Sequence, residues 1–164
     1  MRMHLKRNNF SIVLVAFLLF FSCNEKASFN EYKSIASKGW KAGEKVVFSF
    51  EVKDTISSNN LFINIRNNDA YKYRNLYLIT EMIFPNKTIV IDTLQYEMAD
   101  KQGVFLGNGF TEIKENKLYY KENKRFPLMG NYLLKIRHAM RKNGEISSIP
   151  FLEGVLDVGL SIEK

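Results

Sequence analysis

The chain has 164 residues, a formal net charge of +7 at pH 7, one cysteine and two histidines. A single cysteine excludes an internal disulfide, and so few thiol and imidazole groups exclude Cys-His nucleophilic sites and multi-histidine metal clusters. Loss of the leader described next removes Arg2, Lys6 and Arg7 and lowers the charge from +7 to +4. The remaining Lys and Arg are scattered along the chain, which argues against a nucleic-acid partner.

The amino terminus reads as a lipoprotein leader. Behind the basic residues runs FSIVLVAFLLFF, Phe10 to Phe21, about a dozen apolar residues where a membrane-crossing helix needs roughly 20. A basic start, a short greasy centre and the small residue Ser22 are the parts of a secretory signal. Cys23 follows at once, which points to cleavage before it and a diacylated cysteine as the mature amino terminus, although Phe20 stands where Leu is preferred. Diacylglycerol plus an N-acyl chain on Cys23 gives a stable membrane anchor, and no other cofactor is expected. The division predicted is residues 1–22 as leader, 23–42 as lipidated terminus and polar tether, and 43–164 as one folded domain of a size that supports its own core.

Within the domain, the period is that of strands. Trp40 marks where order begins. Val46, Phe48, Phe50 and Val52 alternate with Ser49 and Glu51, and Leu61, Ile63 and Ile65 alternate with Asn64 and Arg66, across a turn-rich DTISSNN segment. Asn75 to Phe84 is apolar on both faces, Pro85-Asn86-Lys87 turns the chain, and Thr88 to Met98 returns as a hairpin partner. Lys101 to Phe110 (KQGVFLGNGF) lacks the context of a nucleotide loop and is expected to use its glycines in turns. Further strands are expected at Leu118 to Phe126, at Tyr132 to Met140, and at Val155 to Ile162 with Leu156, Val158, Leu160 and Ile162 on one face. Seven or eight strands without a long amphipathic helix predict an all-β fold, a single antiparallel β-sandwich of immunoglobulin-like or jelly-roll type.

Reactive constellations are sparse. His138 lies in phase with core positions and reads as structural. Glu97 and Asp100 are the nearest approach to a carboxylate pair, and Asp92, Asp100 and Asp157 lack the compact spacing of a calcium loop. No enzyme, metal or small-molecule substrate is expected. The tyrosines Tyr71, Tyr73, Tyr119 and Tyr120 lie beside Lys and Arg and suit either strand packing or an interface. The candidate interaction surface is Tyr71, Tyr73, Asn75 and Tyr77 together with Asp100, Gly103, Phe105, Gly107 and Gly109.

The segment YKYRNLYLITEMIFPNKTIVIDTLQYEMADKQGVFLGNGF resembles the gliding-motility lipoprotein GldH family of the Bacteroidota. Arg66-Asn67, Tyr71, Tyr73 and Asn75-Leu76-Tyr77 are similar to its RN-x-x-Y-x-Y-x-N-L-Y signature. KLYYKENKRF, Gly130-Asn131-Tyr132, Ala139-Met140-Arg141-Lys142 and LEGVLDVGLSIEK extend the likeness over most of the mature domain. Phe105 stands where the family has Trp, and His138 where Gln is usual. The resemblance implies a non-catalytic envelope lipoprotein needed for gliding, linked to type IX secretion and working through contacts with other envelope proteins. No catalytic residues carry over. The absence of a dense acidic run after Cys23 favours the periplasm-facing side of the outer membrane. The competing function is a surface glycan-binding sandwich, resting on the four tyrosines.

Overall fold

The computed structural model describes residues 27–109 and 111–164. The leader and Cys23 lie outside the described residues, as do the following three positions. The order is β1 (Phe29–Ser34), β2 (Trp40–Lys41), β3 (Val46–Val52), β4 (Asn59–Asn67), β5 (Asn75–Ile83), β6 (Ile89–Glu97), β7 (Lys114–Lys124), β8 (Gly130–His138), β9 (Phe151–Leu152) and β10 (Val155–Glu163). Among the described residues there is no helix.

Eight strands form two four-stranded sheets, β1-β10-β4-β7 and β3-β8-β5-β6, and β2 pairs with β9 as a separate ribbon. Every strand pairing is antiparallel. The two sheets bury their facing sides against each other, so the fold is the expected β-sandwich. Phe48, Leu134 and Ile136 from one sheet and Leu61, Ile63, Ile65 and Leu160 from the other are fully enclosed. Aromatic rings supply much of the filling. Phe50 stacks on Tyr132 at 5.6 Å and meets Phe126 edge-on at 5.7 Å, arrangements that add to plain burial.

The alternation of β3 survives intact, with Val46, Phe48, Phe50 and Val52 inward and Ser49 and Glu51 outward. The β5–β6 hairpin is also as expected, its turn closed by Phe84 and Thr88 with Lys87 at positive φ.

Three expectations need correction. The tether predicted over 23–42 is folded for part of its length, because residues 29–34 form β1, which pairs in register with β10 from Phe29↔Ile162 to Ser34↔Asp157. Its sequence FNEYKS hides the strand, since Glu31 and Lys33 occupy the positions opposite Leu160 and Val158 and pair with each other at 3.3 Å. Inward-pointing charges are a common guard on an edge strand. Secondly, β7 begins four residues before Leu118, at Lys114. Its polar opening KENK runs along the sheet edge beside β4. Thirdly, a bulge between Val155 and Asp157 turns Leu156 off the core face, leaving Val155, Val158, Leu160 and Ile162 buried. An extra residue in one strand reverses the alternation there.

Candidate functional site at the distal end of the sandwich

Strand direction separates the molecule into two ends. Ser28, Phe29, Val52, Gly130 and Ile162 lie at the end where the described chain starts. Asn67, Asn75, Lys114, His138 and Val155 lie at the other, as the registers Phe29↔Ile162, Val52↔Gly130, Asn67↔Lys114 and Asn75↔Glu97 require. Nine-residue strands set the ends about 30 Å apart. All of the candidate surface falls at the distal end.

There the loop before β5 and the loop after β6 are joined through the backbone. Met98 and Ala99 both donate to the Arg74 carbonyl, at 2.6 and 3.1 Å. Asp100 then organises its own turn, its Oδ1 accepting from the amides of Gln102 (2.9 Å) and Val104 (2.8 Å). Gly103 takes φ +86 at that turn, a conformation that suits glycine. Ala99 and Phe105 bridge across it and Leu106 donates to Met98. Farther on, Asn108 and Glu115 pair reciprocally. Gly107 lies over the Asn116 amide, with no room for a β-carbon. Asn116 in turn donates to Asn67 Oδ1 at 2.8 Å and to the Ile65 carbonyl at 3.2 Å, so buried amides form the floor of the loop. Gly109 faces the Ile113 carbonyl.

The predicted residues come together but do not all face out. Tyr71 is only 3% exposed. Its hydroxyl donates to the Asn75 carbonyl at 2.7 Å, its ring meets Tyr73 edge-on at 5.8 Å, and burial holds its ionisation well above the usual phenol range. Tyr73, Tyr77 and Phe105 are partly buried against the core, and Asn75 opens β5 opposite Glu97. The side chains that do reach solvent are ones the sequence analysis did not select. Val104 is 62% exposed, Leu106 54% and Ile113 45%. The signal was present in the alternation Val104-Phe105-Leu106 between two glycines, where an inward Phe implies outward neighbours.

The carboxylates are spoken for separately. Asp92 accepts from Tyr120 and pairs with Lys121 at 3.0 Å. Asp157 accepts from Ser34 at 2.7 Å, with Arg66 at 3.9 Å. Asp100 serves its turn. Among the described residues no three acidic, histidine or cysteine groups converge as a metal site would require. His138 is buried against Trp40, with ring centroids 5.6 Å apart, and burial lowers its pKa below the ordinary imidazole value against a smaller opposing pull from the Trp40 backbone.

Tyr120 is enclosed, its hydroxyl between Thr80 and Asp92, while Tyr119 lies on Phe62 and is 62% exposed. Of the four tyrosines offered for sugar stacking, Tyr71 and Tyr120 therefore belong to the core.

The family model described as GldH lipoprotein matches residues 27–162. The chain belongs to the GldH lipoprotein family. It is 46% identical over 160 residues to the gliding motility lipoprotein GldH homolog of Christiangramia forsetii, covering 96% of this chain and 98% of that one. It is 44% identical over 156 residues to gliding motility lipoprotein GldH of Flavobacterium johnsoniae, covering 95% and 96% respectively. Likeness to solved structures is slight. A family GH115 4-O-methyl-α-glucuronidase gives a TM-score of 0.42 at 11% identity, over 86% of this chain and 18% of that one. Latent PorU of Porphyromonas gingivalis gives 0.36 at 11% identity, over 86% and 14%. The family's matched span begins two residues before β1, consistent with β1 being part of the fold.

Proposed function

We propose that this protein is a lipid-anchored envelope component of gliding motility, linked to type IX secretion, that supports assembly of the apparatus by protein contact and performs no chemistry. The observation that carries the reading is the placement of the ends. The described chain reaches β1 through Ser28, and the loops of 68–74, 98–109 and 111–113 lie at the opposite end. An anchor at one pole and an ordered loop platform with solvent-facing Val104, Leu106 and Ile113 at the other suit a part that holds a surface toward neighbours in the envelope. Exposed aliphatic side chains on a hydrogen-bonded loop are the material of an interface core. Confinement to a membrane raises the local concentration of a partner, so a modest contact suffices. The outer membrane, facing the periplasm, is the placement that fits a chain with Asn24-Glu25-Lys26 after the cysteine.

Deletion of the gene abolishes colony spreading on this reading, and the wild-type copy restores it. A copy with Val104→Asp and Leu106→Asp accumulates normally and does not restore spreading. Full spreading by that variant at normal protein level would reject the distal loop as the working surface.

A further inference from the structure

At the anchor end the two sheets part, leaving a groove of about 390 Å3 beside the start of β1. Its walls are Phe29 from β1, Phe50 and Val52 from β3, Phe126 after β7 and Ile162 from β10. This size is ordinary for a small-ligand site. These phenyl and aliphatic groups supply the greater part of the lining, and Ser28, Glu51, Asp54 and Asn59 make the remainder polar. Among the described residues, no buried polar atom without a partner lies here. Lys53 and Lys164 stand exposed at the mouth, each beside an acidic neighbour at 3.2 and 3.7 Å.

We propose that this groove receives one acyl chain of the lipid carried by Cys23, an inference that rests on the anchored reading given above. The position of the chain start supports it. The Ser28 amide and hydroxyl both donate to the Ile162 carbonyl, at 2.8 and 3.1 Å, which pins the entering backbone to the lip of the groove. Cys23 lies five residues earlier, and five residues span at most about 17 Å. The acyl chain thus begins within reach of the opening. Phe29 is only partly buried against the core, and an acyl chain laid along the groove covers its remaining apolar surface. With one chain in the groove and the others in the bilayer, the anchor end faces the membrane and the distal loops face away.

The test uses the full chain in its own host, grown with a fatty acid bearing a photoreactive diazirine, then irradiated, purified and mapped by mass spectrometry. The expected product joins the Cys23 peptide, through its acyl chain, to peptides containing Phe29, Phe50, Phe126 or Ile162. Label on Cys23 with adducts confined to membrane lipid overturns the groove proposal and leaves the anchor standing. Label absent from Cys23 overturns both. Groove peptides carrying free phospholipid, distinguishable by mass, show that the occupant is a bilayer lipid and overturn the assignment to Cys23. Ser28→Trp narrows the mouth from an exposed position and lowers the internal crosslink at least about fivefold; an undiminished yield counts against the groove as the route.

Discussion

The backbone of Tyr71 lies against the α-carbon of Gly154 so closely that a β-carbon on residue 154 would collide with the Tyr71 amide. Asn68 also donates to the Gly154 carbonyl at 2.9 Å, and Gly154 takes φ +80. The contact ties the β9–β10 turn to the loop before β5. Gly154→Ala therefore incurs both a strained φ and a backbone clash and lowers stability by about 2–4 kcal/mol. Urea unfolding compares it with Gly144→Ala, where no atom lies near the added carbon and only the φ strain remains. Equal effects from the two substitutions would contradict the close contact.

His138 gives a pH dependence with a definite sign. Burial lowers its folded pKa below the ordinary 6.5, so the unfolded chain takes up a proton that the native chain resists. Stability contributed by the neutral ring is complete above that unfolded value and is lost as the pH falls through it toward the folded one. The slope is at most one proton, about 1.4 kcal/mol per pH unit. His138→Leu flattens the decline between about pH 8 and pH 5. Unchanged slopes in denaturant titrations of the two proteins would rule this out.

Arg66 is the centre of a polar network on the outer face of the β1-β10-β4-β7 sheet. Its Nε donates to Glu115 at 3.0 Å, its guanidinium covers the Tyr32 ring at 4.1 Å, and the Tyr32 hydroxyl donates to Glu115 at 2.7 Å. Burial works against ionisation of Glu115, yet the hydrogen bonds from Tyr32 and Arg66 prevail and hold its carboxyl below the usual range. Tyr32 is pushed up to about 12, first by burial and then by Glu115. More than a third of each charged side chain is exposed, so Arg66→Ala costs only about 0.5–1 kcal/mol, and less in high salt. Thermal unfolding at two salt concentrations measures this. A loss of several kcal/mol would mean that the network is shielded from water.

Cys23→Ala blocks lipid attachment and leader processing. Fractionation of cells fed labelled fatty acid shows label on the wild-type protein and none on the variant, and label retained by the variant would contradict the assignment.

The sequence made the sandwich legible wherever one face of a strand is dry and the other wet. β3 with Phe48 and Ser49, and β8 with Leu134 and Lys135, display the two-residue period because burial alternates there. β1 lacked that signal because its inward positions carry Glu31 and Lys33 at the rim. Leu156 looked like a core residue because alternation continues formally through a bulge that sequence does not display. The candidate surface was placed at the correct loops, yet its orientation was misjudged. Tyr71 is held inward by a hydrogen bond to Asn75 and by the Gly154 contact, both made only after folding. Val104 and Leu106 reach solvent because Phe105 takes the inward place.

The in-register pairing of β1 with β10 has a mechanical consequence. A force applied at Ser28 and directed away from the opposite end of the sandwich pulls β1 along its own axis. Traction then falls on all the rungs between Phe29 and Ser34 together, in shear, and no single rung at one end can open ahead of the rest. Unzipping from one end, the easier way to strip an edge strand, is not the route that such a load favours.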